Sequence, residues 1–206
     1  MVWYPFLVII PQETTLPSKI LYSEMDGTPE QICFADHAAD FSPTAANNLQ
    51  FSTPTTCQLS LANVADAAAR QSTKVDLGAD RAPAYQVRAA FELAATPTAG
   101  DVIELYWAPS PSATAGTANA ANVTGADSAY AGYSANLAAS VKQLTWIGNF
   151  VCTAQATATV QVAEVGMFSP TERYGSLVVK NESNAAFFTD DVECHVVFDP
   201  IVPESQ

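Results

Sequence analysis

Few side chains in this sequence could carry out acid–base or nucleophilic chemistry. The two histidines, His37 and His195, lie far apart, and a hydrolytic triad would need one of them beside a nucleophile. The nearest match to a G-x-S-x-G motif is Gly132–Asn136 (GYSAN), which falls in a charge-free stretch and not between a strand and a helix. His195 alternates with apolar residues in a strand-like segment, so we expect it to be exposed. The sequence predicts no catalytic residues and no enzyme.

Metal and cofactor motifs are absent from the sequence as well. No HxH, HExxH or calcium-loop spacing occurs, and the sequence has neither a phosphate-binding loop nor a dinucleotide fingerprint. Asp190, Asp191 and Glu193 form an acidic cluster that could attract a cation, but a solvated turn before the last strand is the commoner arrangement. A glycosidase needs only two carboxylates, so the 21 acidic residues leave that activity open. We predict no metal and no cofactor.

The four cysteines lie far apart in the sequence and form no CxxC pair, which gives no support to a zinc or redox site; they are Cys33, Cys57, Cys152 and Cys194. We expect buried, reduced thiols that pack as small apolar side chains. Disulfides would allow three full pairings, and nothing in the spacing selects one.

Charge and composition exclude several classes of protein. The 206 residues carry 8 basic and 21 acidic side chains, a net charge of −13, with no basic cluster to neutralise phosphates, so we predict no binding of nucleic acid. The first ten residues (MVWYPFLVII) are apolar but too short to cross a membrane. They lack the basic flank and cleavage site of a signal peptide. We therefore expect a chain without membrane contact, made in a cytosol-like compartment.

Alternating apolar residues predict that β-strands form the scaffold of any functional site. The pattern is clear in Ala84–Ala94 and in Asp101–Ala108, which a Pro- and Gly-containing connector joins as a hairpin. In Gln143–Cys152 it places Leu144, Trp146, Phe150 and Cys152 on one face, while Trp107 points inward from its own strand. About eight such segments predict one all-β domain, an antiparallel β-sandwich or jelly roll.

Two segments depart from the strand pattern. Asn63–Gln71 (NVADAAARQ) is the best helical candidate, a two-turn connector with Asn63 as its N-cap. Pro109–Asn136 is rich in Ala, Ser, Thr, Gly and Asn, which predicts a long polar surface loop without a core of its own, anchored by Tyr130 and Tyr133.

We divide the chain into an N-terminal arm, residues 1–17, and the β-domain, residues 18–206. Aromatic residues of the arm and of the polar loop are the candidate contacts with a partner; they are Trp3, Tyr4, Phe6, Tyr130 and Tyr133. A first strand packed under its own sandwich would have the same composition as the arm, so both interpretations stay open.

Four segments resemble one family: LYWAPSPSATAGTANAAN, VKQLTWIGNF, FSPTERYGSLVVKN and HVVFDPIVPESQ. They look like small structural proteins that tailed bacteriophages encode near their capsid genes, over approximately residues 84–206. The resemblance implies a β-sandwich or jelly-roll subunit of the virion, assembled in the host cytoplasm. It implies most directly a decoration (cement) protein on the capsid exterior, which binds the major capsid protein and itself as a dimer or trimer. Such proteins act by surface complementarity, so no functional residue is carried over.

Two other functions remain open from the sequence. One is a different virion component, such as a head fibre base, a collar or a tail protein. The other is a carbohydrate-binding module or β-sandwich hydrolase in which Trp107, Trp146 or Tyr133 stacks on sugar. Strand alternation places both tryptophans inward, which favours core positions over a sugar platform.

Overall fold

The computed structural model describes residues 30–51, 53–79 and 81–201. The predicted N-terminal arm, with Trp3, Tyr4 and Phe6, lies outside the described residues. In the described part 38% of residues are in strands and 8% in helices, which confirms the mostly β prediction. No helix of this part is long and apolar enough to cross a membrane.

Eleven strands form in the described ranges, where the sequence predicted about eight. Three of them have only two or three residues, so eight strands have four residues or more. In chain order the strands are β1 (Ile32–Ala35), β2 (Thr55–Gln58), β3 (Ala69–Gln71), β4 (Val75–Asp76), β5 (Ala84–Phe91), β6 (Val102–Ser110), β7 (Ser128–Ala129), β8 (Thr145–Val151), β9 (Gln161–Phe168), β10 (Tyr174–Glu182) and β11 (His195–Ile201).

The helices are single turns. One is the α-helix α1 (Leu137–Ser140), and the others are 3-10 turns at Ala120–Asn122, Tyr133–Ala135 and Val141–Gln143. The side chain of Asn136 caps α1 by accepting a hydrogen bond from Ala139 N.

Two sheets hold these strands. Sheet A has the order β2-β1-β11-β5-β9, and sheet B has the order β7-β3-β10-β6-β8, with β4 paired to β10. All named pairs are antiparallel except β1 and β2, which run parallel and so depart from the purely antiparallel prediction. The first and last described strands are neighbours, since Ile32 pairs with Phe198.

The main core fills the space between the two sheets. Alternate residues of β5 point into it, as the sequence predicts, and Phe91 contacts Phe150 with ring centroids 4.9 Å apart. Trp107 is 1% exposed and lies 5.8 Å from the ring of Phe198. Each large apolar side chain buried in this way stabilises the fold by about 1.5–3 kcal/mol before entropy costs.

The helix predicted for Asn63–Gln71 is wrong. Asn63 and Ala67 have φ angles of 57° and 59°, which an α-helix does not allow. The backbone instead pairs with Asn181 of β10: Ala67 N donates to Asn181 O over 2.8 Å, and Asn181 N donates to Ala68 O over 2.9 Å. Sheet hydrogen bonds with a distant strand thus override the local helix propensity of alanine.

The polar loop after β6 does contribute to a core, contrary to the sequence prediction. Ala121, Val123 and Tyr130 are buried against Tyr106 and Val178 on the outer face of sheet B. This second, smaller cluster needs few large aliphatic side chains because the sheet supplies one wall of it.

Lys74 holds the same loop in place through hydrogen bonds. Its ammonium group donates to Ser110 Oγ over 2.9 Å and to the carbonyl oxygens of Ser112, Thr114 and Thr117 over 2.7–3.0 Å. Partial burial lowers the pKa of Lys74. The polar loop is therefore held by one cation that satisfies several carbonyl oxygens.

Candidate functional site

The edge strands β8 and β9 of the two sheets touch along their length. A Cβ atom added at Gly148 would lie 2.2 Å from Val165 O, and one added at Gly166 would lie 2.6 Å from Ile147 O. Both glycines are required here because the backbones approach too closely for any side chain. This contact closes the sandwich on one side.

Exposed apolar side chains concentrate along this contact. They are Trp146 (58% exposed), Val151 (55%), Val162 (47%) and Met167 (64%), which make up four of the seven exposed large apolar residues of the described part. Since Ile147 lies beside Gly166 and Gly148 beside Val165, the strands run antiparallel, with Trp146 near Met167 and Val151 near Val162. We call these four side chains the apolar seam.

Trp146 is exposed because of a β-bulge, so its predicted inward position is wrong. Leu105 pairs with Gly148 but Tyr106 pairs with Trp146, which leaves Ile147 as an extra residue. The extra residue reverses the alternation: Ile147 and Phe150 face the main core, while Trp146 lies on the outer face beside Tyr106. The indole Nε1 donates to Asn149 Oδ1 over 3.3 Å.

A shallow groove of about 350 Å³ lies at the Val151–Val162 end of the seam. Its lining combines apolar and uncharged polar side chains, among them Phe150, Thr153 and Gln161. The Gln161 Oε1 atom accepts hydrogen bonds from Thr153 N and Thr153 Oγ1, each over 2.8 Å. The groove carries no charged lining residue, which suits an apolar segment better than an ion.

The two tyrosines predicted as partner contacts lie in different environments. Tyr130 is 3% exposed and its hydroxyl donates to Ala121 O over 2.8 Å, so it anchors the polar loop and offers no contact surface. Tyr133 is 52% exposed and remains available to a partner. Tyr133 lies in the loop that covers sheet B and is not one of the four seam residues.

His195 is fully buried, which corrects the prediction of an exposed sheet residue. It does lie on the outer face of sheet A, but residues 36–50 cover that face, with Phe41 and Leu49 packed on Val197. The His195 Nδ1 atom donates to Glu193 O over 2.8 Å, and Nε2 accepts from Leu49 N over 3.1 Å. With both nitrogens occupied in a neutral ring, His195 holds the covering loop in place.

The acidic turn before β11 is also not a solvated turn. Asp191 is 3% exposed, and its Oδ2 atom accepts from Leu61 N over 2.6 Å and from Ala62 N over 3.1 Å. Burial raises the pKa of Asp191. Glu193 accepts from Thr44 N over 3.1 Å and so ties residues 36–50 to the same turn.

Asp36, Asp40 and Asp191 bring carboxylate oxygens within 4.8 Å of one another, a grouping that sequence spacing did not reveal. Gln58 Nε2 donates to Asp36, and backbone amides occupy Asp191. These bonds connect Asp36 to β2 and connect the turn before β11 to Leu61 and Ala62, so two of the three carboxylates have a structural role.

All four cysteines are buried with free thiols, as expected for small apolar side chains. Cys33 faces outward from sheet A and Cys57 faces the main core, so these neighbouring thiols lie on opposite sides of the sheet. Burial raises the pKa of Cys33 and of Cys57 to about 12. Such thiols are poor nucleophiles near neutral pH.

Comparison with known proteins adds no relative. No family model matches this sequence, and no curated protein or solved structure is significantly similar to it. The candidate site that the geometry offers is a binding surface, the apolar seam.

Proposed function

We propose that this chain is a structural subunit of a tailed-bacteriophage virion, a decoration protein that binds the major capsid protein on the capsid exterior. The observation that carries the proposal is the strand order. When β2, β4 and β7 are left out, the remaining eight strands, taken in chain order, pair first with last (β1 with β11), second with seventh (β3 with β10), third with sixth (β5 with β9) and fourth with fifth (β6 with β8). This pairing order is the one expected of a rolled-up hairpin, so it supports a jelly roll to which β2, β4 and β7 are additions.

The jelly roll is an architecture of viral capsid domains and of lectins, which fits the resemblance of residues 84–206 to phage structural proteins. Architecture alone does not establish function, so the surface must supply the rest of the support. The net charge of −13 keeps the subunit soluble and away from the genome.

The apolar seam and the N-terminal arm supply apolar area for contact with a capsid. Repetition across a lattice raises the effective affinity of modest contacts, so each interface can be small. Self-association as a dimer or trimer would add contacts between neighbouring copies.

Purified particles of the parent phage test the proposal. We expect peptides of this chain at high copy number by mass spectrometry, and density for a jelly roll on the outer capsid surface by cryo-electron microscopy. Its absence from particles would refute the proposal. Density on the collar, tail or fibre base would identify a different virion component.

Variants test whether the arm and the apolar seam bind the capsid. Deletion of Met1–Pro11 is expected to leave a folded sandwich that no longer stays on capsids during purification. The double variant Trp146→Ser/Met167→Ser should also reduce retention, whereas Phe51→Ser, which changes an exposed aromatic residue outside the seam, is the matched control. Light scattering of the free protein tests the dimer or trimer.

One observation favours carbohydrate binding as a second function. The structure exposes Trp146, whose predicted burial was the argument against a sugar platform, and exposed tryptophan faces stack well on apolar ring surfaces. A glycan array with wild-type protein and Trp146→Ala tests this. Binding that survives the substitution, or no binding at all, would exclude Trp146 as the platform.

A further inference from the structure

The two hydrogen bonds of His195 fix which ring nitrogen carries the proton. Nδ1 lies 2.8 Å from Glu193 O, a carbonyl oxygen that can only accept, so Nδ1 holds the hydrogen. Nε2 lies 3.1 Å from Leu49 N, a backbone amide that can only donate, so Nε2 offers its lone pair. The ring is fully buried, and only its neutral form satisfies both bonds.

A proton added to His195 would therefore have to go to Nε2. Nε2 would then be a second donor, and its hydrogen would point at the hydrogen of Leu49 N. The bond between them would be lost, and a charged ring would remain in a buried site. An unpaired amide and a buried charge are both costly, so movement of Leu49 away from the ring relieves both.

Leu49 belongs to a segment that is suited to move. We call residues 36–50 the covering loop; they form turns and contain no strand or helix. Phe41 and Leu49 of this loop pack on Cys33 and Val197 in a small cluster on the outer face of sheet A. Phe41 also contacts the ring of His195, with centroids 5.2 Å apart. A segment of turns on a small cluster opens more readily than the paired strands beneath it.

We infer that protonation of His195 releases the covering loop, which then opens in mildly acidic solution while the sandwich stays folded. Opening would uncover Cys33 and Val197, and so present an apolar surface that is buried at neutral pH. Such release is a property of the free subunit and does not depend on the proposed function.

The charges around His195 set the direction of the effect. Burial is the main cause that lowers the pKa of His195, and the carbonyl and carboxylate of Glu193 oppose it. His37 in the covering loop and Arg88 on β5 lower this pKa further, and Arg88 is itself paired with Asp199 over 2.5 Å. In the open form the ring meets water and its pKa returns towards about 6.5. The open form therefore binds the proton more tightly, and acid favours opening.

Four carboxyl groups also lie in or near the covering loop: Asp36, Asp40, Glu92 and Asp191. Burial raises the pKa of Glu92 and of Asp191, so each takes up its proton more readily in the closed form. Through these two groups acid favours closure, which is the opposite sign to His195. Asp36 accepts a hydrogen bond from Gln58 of β2.

The cysteines distinguish local opening from global unfolding. Cys33 lies under the covering loop, whose Gln50 side chain bonds to its thiol, whereas Cys57, Cys152 and Cys194 belong to the main core. We would treat the full-length protein with 4,4′-dithiodipyridine, which modifies thiols in acid as well as at neutral pH, and follow each cysteine by mass spectrometry. Each rate is divided by that of N-acetylcysteine at the same pH. From pH 7 to pH 5 we expect the rate at Cys33 to rise at least about fivefold, with about tenfold per pH unit as the limit for one proton, while the other three stay protected.

Two variants identify the group that takes up the proton. In His195→Gln the side-chain oxygen can still accept from Leu49 N but does not titrate, so the rise should vanish. In the matched control His37→Gln the rise should persist. A constant rate at Cys33 in wild type would overturn the inference, and so would a rise shared by all four cysteines, because the whole domain would then unfold. A rise that persists in His195→Gln, or that disappears in His37→Gln, would also overturn it.

Hydrogen exchange of the wild-type protein gives the same comparison if His195→Gln does not fold. Amide protection in peptides from residues 41–50, corrected for the intrinsic pH dependence of exchange, should fall from pH 7 to pH 5 by at least the same factor, while protection in β5 and β6 stays constant. Unchanged protection in residues 41–50 would overturn the inference.

Discussion

Replacing Gly148 by alanine should push the two sheet edges apart. The new Cβ atom would lie 2.2 Å from Val165 O and 2.9 Å from its carbonyl carbon. Non-bonded carbon contacts are comfortable near 3.5–4.0 Å, so β8 must move away from β9 by about 1 Å. Strain of this kind typically costs about 1–3 kcal/mol. For a domain of this size each kcal/mol lowers Tm by about 2–4 °C.

Thermal and urea unfolding of matched alanine variants measure this effect. Gly116→Ala is the control, because an added Cβ there meets no atom within 4 Å, and we expect it to leave stability unchanged or raise it by less than about 1 kcal/mol. Gly166→Ala should destabilise the protein as well, since its Cβ would lie 2.6 Å from Ile147 O. The double variant should cost less than the two single losses together, because one separation relieves both contacts. If Gly148→Ala is as stable as Gly116→Ala, the edges do not touch as described.

Three further predictions concern buried titratable groups. Burial lowers the pKa of His195 below 6.5, so as the pH falls the unfolded state takes up a proton before the folded state does. The free energy of unfolding should therefore fall as the pH decreases below about 7. Urea midpoints measured from pH 8 to pH 5 should show this fall, and His195→Asn should remove the part of it that His195 causes. Asp191→Ala should cost about 1–3 kcal/mol for each backbone amide left unpaired, Leu61 N and Ala62 N, whereas exposed Asp190→Ala should cost little. Alkylation at pH 8 should need denaturant but no reductant; a requirement for reductant would contradict reduced thiols at Cys33, Cys57, Cys152 and Cys194.

Alternation of apolar and polar residues predicted the strands well where one face of the strand packs in the core and the other does not. In β5 and β6 the inward residues, such as Phe91 and Trp107, are buried as the alternation requires. Mostly β structure with little helix followed from the same patterns and from the spacing of prolines. The parallel pairing of β1 with β2 was not predictable, because it depends on how residues 36–54 cross from one strand to the next.

The errors have identifiable physical causes. One extra residue at Ile147 moved Trp146 from the predicted inner face to the outer face, and a single sequence does not mark a bulge. Alternation placed His195 on the correct face but could not show that a distant loop covers it. Local propensity favoured a helix near Ala67, where hydrogen bonds to Asn181 determine the conformation.

The apolar seam was not predicted because it joins the edges of two different sheets. One signal was present: Gly148 and Gly166 lie inside two strands, and glycine inside a strand often marks a close backbone approach. Reading both glycines as a contact between strands would have pointed to this site.

The position of β11 affects when the chain can fold. It lies between β1 and β5 in sheet A, so β1 has its antiparallel neighbour only after residues 195–201 have been synthesised. Until then the ribosome-bound chain exposes a strand edge of β5 and the apolar face of β1. Sandwiches built on such distant pairings fold in about milliseconds to seconds, far slower than helical bundles. We expect the sandwich to fold only after these residues have emerged, with truncation before His195 producing aggregation-prone chains instead of a smaller folded domain.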